Sequence, residues 1–135
     1  MSTEENKQLA RRFFEEIWNQ QDEAAIDRFA SPDVAGNDPD FGTGRDEFHA
    51  HWKSWVAAFP DIHFEIVDII AEGDQVLTRW VLTGTFEGEL LGAQGDGRKI
   101  RVEGMSLDRF ANGVLVAGFD GWDNYGFRKQ LGVTE

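Results

Sequence analysis

The sequence predicts an α+β protein with a cone-shaped, curved, mainly antiparallel sheet, three N-terminal helices on its concave face and an enclosed pocket. Apolar residues recur at helical spacing as far as Phe59. From Ile62 to Trp122 apolar residues tend to alternate with polar ones, as in half-buried strands. Turn sequences at Gly73-Asp74 and Ala111-Asn112-Gly113 divide this second part into successive strands. The order of helices first and strands afterward is typical of the α+β class.

Three helices are predicted ahead of the strands. Ser2 and Glu5 have the spacing of a capping box at the start of the first helix. Its buried stripe is Ala10, Phe13, Phe14, Ile17 and Trp18. The second helix begins after Asp22 and ends at Ser31-Pro32, and a loop containing Asn37-Asp38-Pro39 and Phe41-Gly42 follows. The buried stripe of the third helix, which stops before Pro60, is Phe48, Trp52, Trp55, Val56 and Phe59.

The strands form an antiparallel meander. In the first strand the apolar parity changes after Ile66, which predicts a bulge or burial on both faces. The next strand runs from Gln75 to about Phe86, another starts near Lys99, and the last runs from Val114 to Trp122. The glycine-rich segment 88–97 is predicted to be a loose, mobile connection over the rim of the sheet.

Composition limits the classes of function. We expect residues 1–135 to form one domain, because 135 residues with 41% hydrophobic content provide one core. The chain has no Cys, its N-terminus lacks a signal-peptide pattern, and no stretch is long enough to span a membrane, so we expect a cytoplasmic protein. A net charge of -12 disfavours binding to nucleic acids and to anionic membranes. An apolar outer sheet face would make the protein a homodimer.

Four segments together resemble a known family. They are Arg12 to Gln20, Ala58-Phe59-Pro60-Asp61, Arg79 to Thr85 and Gln130-Leu131-Gly132. Their order and spacing resemble the SnoaL-like polyketide cyclases of the nuclear-transport-factor-two-like superfamily, almost from end to end. The resemblance implies a cyclase that closes a polyketide ring by intramolecular aldol condensation, with a hydrophobic or aromatic substrate and neither cofactor nor metal.

The resemblance also implies site residues. Asp120 matches the aspartate on the family's last strand that serves as general acid/base. Asn37 and Ser106 occupy or adjoin positions where relatives carry His, and Gly118 replaces a bulkier residue, which would enlarge the pocket. Asp123 matches a second acidic position, but its place at the end of a strand predicts that it caps a turn from Asn124 to Leu131.

The residues themselves support a chemical role for Asp120. Period-two alternation puts Gly118, Asp120 and Trp122 on one face of the last strand. A carboxylate beside Trp in an apolar cavity loses hydration, so its pKa rises and it can exchange protons near neutral pH. Such a group could take an α-proton and return it to an alkoxide. The alternative is that Asp120 faces solvent or pairs with Arg79 or Arg101.

Further candidates for substrate binding have alternative structural roles. Arg79 would polarise a carbonyl oxygen or form an ion pair, and the ion pair is favoured. Trp52, Trp55, Trp80 and Trp122 would stack on a flat substrate or fill the core, and the core is favoured for Trp55. The candidate set for substrate binding is Asn37, Trp52, Arg79, Trp80, Ser106 and Trp122. No metal site is predicted, because His49 and His51 lie two apart on a helix and His63 lies elsewhere.

Two other functions stay open at this point. A binding module that holds an apolar ligand without reaction would need no imidazole. An epoxide hydrolase of the same fold would use an Asp-Arg-Asp set, yet no Arg-X-Asp occurs between Gln75 and Phe86. A ketosteroid isomerase would need a Tyr deep in the pocket, but the only Tyr, Tyr125, lies beyond the last strand.

Overall fold

The computed structural model describes residues 2–37 and 42–133. Helix α1 (Thr3–Arg12) continues as a π-helical segment (Phe13–Asn19), and the further helices are α2 (Glu23–Phe29), α3 (Arg45–Ala58) and α4 (Asn124–Leu131). The strands are β1 (Ala30–Gly36), β2 (His63–Glu72), β3 (Gln75–Phe86), β4 (Glu89–Leu90), β5 (Ala93–Gln94), β6 (Arg98–Ala111) and β7 (Val114–Trp122). The chain therefore has the α+β architecture that the sequence predicts.

Five strands form one open, curved sheet in the order β1-β7-β6-β3-β2. Within the described residues, the β2–β3, β3–β6 and β6–β7 pairs of this sheet are antiparallel, and β1 runs parallel to its neighbour β7. The β2–β3 register shifts between Ile66 and Asp68. This irregularity confirms the predicted bulge and explains why the buried parity of β2 changes there.

The helices cover the inner face of the sheet and form the core with it. The capping box is confirmed, because Ser2 Oγ accepts a hydrogen bond from Glu5 N at 3.1 Å and Ser2 N donates to the Glu5 carboxylate at 2.9 Å. The predicted apolar stripe of the first helix is buried in the core. At the other end of the chain, Phe127 of α4 stacks on Trp55 of α3, with ring centroids 4.8 Å apart. The last helix thereby contributes to the core.

Three parts of the chain differ from the sequence predictions. Residues 30–36 form β1, where we predict the end of a helix and a loop. Asn124–Leu131 is a helix, although the sequence predicts only a turn. The glycine-rich segment contains the hairpin β4–β5, which is anchored to α3 because Glu87 N and Gly88 N both donate to the carbonyl oxygen of Ala58. Residues 38–41 of the predicted loop lie outside the described residues.

At two strand residues, a side-chain amide binds the backbone groups on the side of the strand where no neighbouring strand pairs with them. Asn19 accepts from Phe64 N at 2.7 Å and donates to Phe64 O at 3.0 Å. Gln130 of α4 makes the same pair of bonds with Arg101 N and O, at 2.8 and 2.9 Å. We call these contacts amide clamps, because one side chain satisfies both backbone groups of one residue.

Across the described residues, no helix is both long and apolar enough to cross a membrane.

Candidate functional site

A cavity of about 110 Å³ lies between the helices and the inner face of the sheet. Its aromatic wall consists of Phe13, Phe14, Trp18, Phe48, Trp55, Phe64, Trp80 and Trp122. Three polar side chains, Ser106, Asp108 and Asp120, line the same space. Within residues 2–37 and 42–133, the lining includes no Lys, Arg or His. The cavity is therefore an aromatic pocket with acidic and hydroxyl groups concentrated on the sheet side.

The register of β6 and β7 brings the three polar groups together. Ser106 lies directly opposite Asp120, and Asp108 lies directly opposite Gly118. Because side chains two residues apart on a strand share a face, Ser106 and Asp108 point to the same side as Asp120. Two neighbouring strands thus place two carboxyl groups and one hydroxyl on the sheet side of the cavity.

Asp108 is the most deeply buried acidic residue of the site. Only 6% of the Asp108 surface is exposed to solvent. Among the described residues its carboxyl group has neither a hydrogen bond nor an ion pair. Burial raises the pKa of Asp108 well above its usual range, and the negative charge of Asp120 raises it further. Asp108 therefore keeps its proton to a higher pH than an ordinary aspartate.

Gly118 makes room for this carboxyl group. A Cβ atom at Gly118 would lie 2.8 Å from Asp108 Oδ1, closer than van der Waals contact permits. The sequence predicts that the small residue enlarges the pocket, but the space beside it is occupied by the Asp108 side chain. Gly104 has the same relation to the tryptophans, since a Cβ there would lie 2.7 Å from Trp122 Cβ and would overlap the Trp80 ring.

Asp120 is half-buried, and its backbone is held by a third amide clamp. Asp120 N donates to Asn37 Oδ1 at 2.8 Å, and Asn37 Nδ2 donates to Asp120 O at 3.1 Å. Strand β1 ends at Gly36, one residue before the clamp. The Asn37 side chain thus extends the β1–β7 pairing by one residue and fixes the backbone that carries the Asp120 carboxylate.

The hydroxyl group of Ser106 has a defined partner. Trp80 Nε1 donates to Ser106 Oγ at 2.9 Å in a buried position. Because Oγ accepts this bond, its own hydrogen can point to another acceptor. On its other side, Ser106 lies opposite Thr78 of β3. The buried hydroxyl of Thr78 lacks a hydrogen-bond partner within the described part of the chain. Polar groups therefore continue from β7 to β3 on the inner face.

Four of the six residues that the sequence predicts for substrate binding lie at or beside this site. Trp80, Ser106 and Trp122 line the cavity, and Asn37 contacts it through the backbone of Asp120. Trp52 does not line it, because its indole is buried in the core and donates to Ile17 O at 2.8 Å. Trp52 thus has the core role that we considered as its alternative.

Arg79 lies on the opposite, outer face of the sheet. Its guanidinium is exposed and donates through Nε to Asp68 Oδ2 at 2.8 Å. The structure therefore shows the ion pair that the sequence analysis favours and does not bring Arg79 to Asp120. Asp123 likewise has the capping role that we predict, since Asp123 Oδ1 accepts from Gly126 N at 2.8 Å at the start of α4.

Asp108 is the site residue that the sequence analysis missed. Alternation along β6 contains the signal, because Ile100, Val102, Ser106, Asp108 and Phe110 are buried and Gly104, the remaining residue of this row, is half-buried. Asp108 is the acidic member of this otherwise mainly apolar row. In the described part of the chain, no three His, Asp or Glu side chains are grouped so that they could hold a metal ion.

The chain is similar in sequence to one protein family and similar in fold to several solved structures. The sequence profile of the SnoaL-like polyketide cyclases matches residues 8–131. A comparison with curated proteins gives no match. Among solved structures, TsrD from Streptomyces laurentii has a TM-score of 0.87 at 23% identity, over 99% of both chains.

Two further structures have somewhat higher sequence identity. AclR from Streptomyces galilaeus, described as a candidate hydroxylase, is 28% identical with a TM-score of 0.87, over 99% of this chain and 89% of AclR. A candidate polyketide cyclase from Acidithiobacillus ferrooxidans is 26% identical with a TM-score of 0.84, over 97% of both chains.

Proposed function

Because the chain belongs to the SnoaL-like polyketide cyclase family, we propose that it is a cofactor-independent enzyme that performs proton-transfer chemistry on a small hydrophobic molecule. The reaction we propose is an intramolecular aldol condensation or a related reaction at a carbon acid. Asp120 is the general acid/base. The family match and the aromatic cavity support an enzyme or binding module for small molecules, and the chemistry assigned to Asp120 is our proposal.

The observation that carries the proposal is a half-buried carboxylate on the wall of an aromatic cavity. Asp120 lines this cavity, and the Asn37 clamp fixes its backbone. A carboxylate that is partly removed from water is a stronger base than a solvated one. In our mechanism its oxygen accepts an α-proton, and the resulting enolate carbon attacks a carbonyl carbon of the same molecule. Protonated Asp120 then gives the proton to the new alkoxide, so the carboxylate is regenerated.

We assign substrate contacts to the three lining residues that the sequence predicts. Trp80 and Trp122 provide flat apolar surfaces against which a ring can stack. The Ser106 hydroxyl can donate to a polar atom of the substrate, because Trp80 already donates to Ser106 Oγ. Asn37 is assigned a positioning role, since its amide holds the backbone of Asp120. Trp52 and Arg79 have structural contacts elsewhere and receive no role in the reaction.

Deuterium exchange at an α-carbon tests the assignment of Asp120. In D₂O, the protein should accelerate loss of the α-proton signals of 2-tetralone, a flat neutral ketone, in ¹H NMR spectra. Asp120→Asn should lower this acceleration by about 100-fold or more, because general acid–base catalysis contributes at least that factor. Asp68→Asn is the matched control, since Asp68 is exposed on the outer face. Equal exchange by Asp120→Asn and the unchanged protein would exclude Asp120 as the base.

A non-catalytic binding module is the second candidate. It is favoured by the lack of a His, Lys or Arg on the described part of the cavity wall, since many acid–base enzymes use such groups. If this candidate is correct, a bound ketone is recovered without deuterium after long incubation, and Asp120→Asn binds it equally well. An epoxide hydrolase gains no support, because Arg79 pairs with Asp68 on the outer face.

We further propose a homodimer that forms through the outer face of the sheet. An apolar row crosses four strands there, because Ile70 lies opposite Leu77, Leu77 opposite Leu107, and Leu107 opposite Phe119. Ile70 is 63% exposed and Phe119 is 60% exposed. An apolar surface of this kind is stabilised when a second copy covers it.

A further inference from the structure

We propose that Asp108 is a second catalytic residue, a neutral carboxylic acid that donates a hydrogen bond to a carbonyl oxygen of the substrate. The substrate class that follows is a neutral ketone or related carbonyl compound with an enolisable α-carbon. This inference rests on the proposed function. Asp120 takes a proton from the α-carbon of the substrate, and Asp108 donates a hydrogen bond to the carbonyl oxygen next to that carbon.

The first argument is the environment of the Asp108 side chain. It is 6% exposed and nevertheless lines the cavity. Its carboxyl group has no hydrogen bond or ion pair with any residue that the structure describes. A buried polar group without a partner costs free energy, so such groups are rare unless a ligand or water satisfies them. The side of Asp108 that the protein leaves uncovered faces the cavity.

The second argument concerns the protonation state. The described cavity wall has no cation that could stabilise two negative charges. Asp108 is more buried than Asp120, so of the two carboxyl groups Asp108 is the one that keeps its proton. Burial and the charge of Asp120 raise the pKa of Asp108 in the same direction. A protonated carboxyl group is a hydrogen-bond donor, whereas a carboxylate only accepts.

The third argument is the reaction itself. When ionised Asp120 accepts the α-proton, the C–H electron pair moves into the enolate and negative charge develops on the carbonyl oxygen. A donor already directed at that oxygen stabilises this charge most in the transition state. Asp108 can supply this donor without losing its proton, so protons and electrons balance with Asp120 alone as the base. A carboxylate substrate would be repelled by Asp120, which is why we infer a neutral ligand.

Infrared spectroscopy of bound ¹³C-carbonyl-labelled 2-tetralone tests the donor directly. A hydrogen bond lowers the carbonyl stretching frequency. We expect a lowered frequency in the unchanged protein and in Asp120→Asn, which keeps Asp108. In Asp108→Val the frequency should rise to the value in an apolar solvent, and binding should weaken about tenfold, the loss expected for one hydrogen bond. Asp108→Asn, which retains an N–H donor, should restore part of the shift.

A second measurement uses the unchanged protein and does not depend on the folding of a variant. The side-chain carboxyl carbon of Asp108 should have the ¹³C chemical shift of a protonated acid at pH 7. This chemical shift should change when 2-tetralone is added. It should change much less with tetralin, which lacks the carbonyl oxygen. An ionised Asp108 at pH 7 would overturn the proposal. So would the absence of binding of the ketone.

The two proposals fail in different ways. If the carbonyl frequency is lowered but no α-deuterium is incorporated, Asp108 is confirmed as a donor and the assignment of Asp120 is wrong. If deuterium is incorporated through Asp120 but the carbonyl stretching frequency of the bound ketone is the same in Asp108→Val as in the unchanged protein, the inference about Asp108 is wrong. The proposed function then stands.

Discussion

The substitution Asp108→Asn should stabilise the protein, and by more as the pH rises. Asp108 has a pKa well above its usual range in the folded protein. In the unfolded chain the pKa returns to about 3.9. Between these two values the folded state binds one proton more than the unfolded state, so the free energy of unfolding falls as the pH increases. Asn has nearly the same shape and does not titrate, so the variant escapes this loss.

The size of the effect follows from linkage. Stability from protonated Asp108 is fully present below about pH 3.9 and is lost at about 1.4 kcal/mol per pH unit until the pH reaches the raised pKa. The difference between Asp108→Asn and the unchanged protein should therefore grow by about 1.4 kcal/mol per pH unit across that window. For a chain of this length this corresponds to roughly 5 °C in Tm per pH unit. An unpaired Asn amide would add a cost that does not depend on pH, so the slope is the informative quantity.

Urea unfolding followed by tryptophan fluorescence, at pH values from 4 to 8, measures the slope. Other titrating groups are common to both proteins and cancel in the difference. Asp68→Asn serves as the control, because the Asp68 side chain is 58% exposed. A stability difference that is constant over this pH range, or that falls as the pH rises, would refute the argument that Asp108 is buried and protonated.

Three further predictions concern neighbouring features. Gly118→Ala should cost about 1–3 kcal/mol in urea unfolding, because the new Cβ overlaps the Asp108 carboxyl group; an equal cost in an Asp108→Ala background would exclude this cause. Asn37→Ala should lower the rate of α-deuterium exchange by Asp120 and cost about 1–2 kcal/mol of stability, since two hydrogen bonds are lost. Unchanged exchange would show that the clamp does not position the carboxylate. Phe119→Lys should convert a dimer into a monomer in sedimentation equilibrium, and a dimer that persists at the same concentration would place the interface elsewhere.

Local patterns predict most of the fold because most of the elements are encoded locally. The capping box at Ser2 and the parity change after Ile66 both have the predicted structural consequence. Strand β1 was missed because Pro32 and Asp33 are poor strand residues and apolar alternation is weak there. It forms through parallel pairing with β7, a contact between distant parts of the chain that no local pattern contains.

The site was predicted less completely than the fold. Asp120 could be found because its strand alternates clearly and the family resemblance points to it. The direction of Arg79 was ambiguous, because Val81 and Leu82 are both buried and β3 therefore lacks a single polar face. Asp108 follows from the alternation of β6, but only if an acidic residue is accepted at a buried position. Its role depends on the cavity and on Gly118 across the ladder, and these are tertiary features.

The amide clamps have a consequence for the behaviour of the protein at high concentration. An open sheet exposes backbone donors and acceptors along its outermost strands, which can recruit strands from other molecules. On the outermost strand β2, Asn19 already occupies both backbone groups of Phe64. On the opposite edge, Pro32 in β1 lacks an N–H group. An incoming strand would find both edges interrupted, so these side chains protect the sheet against edge-to-edge aggregation.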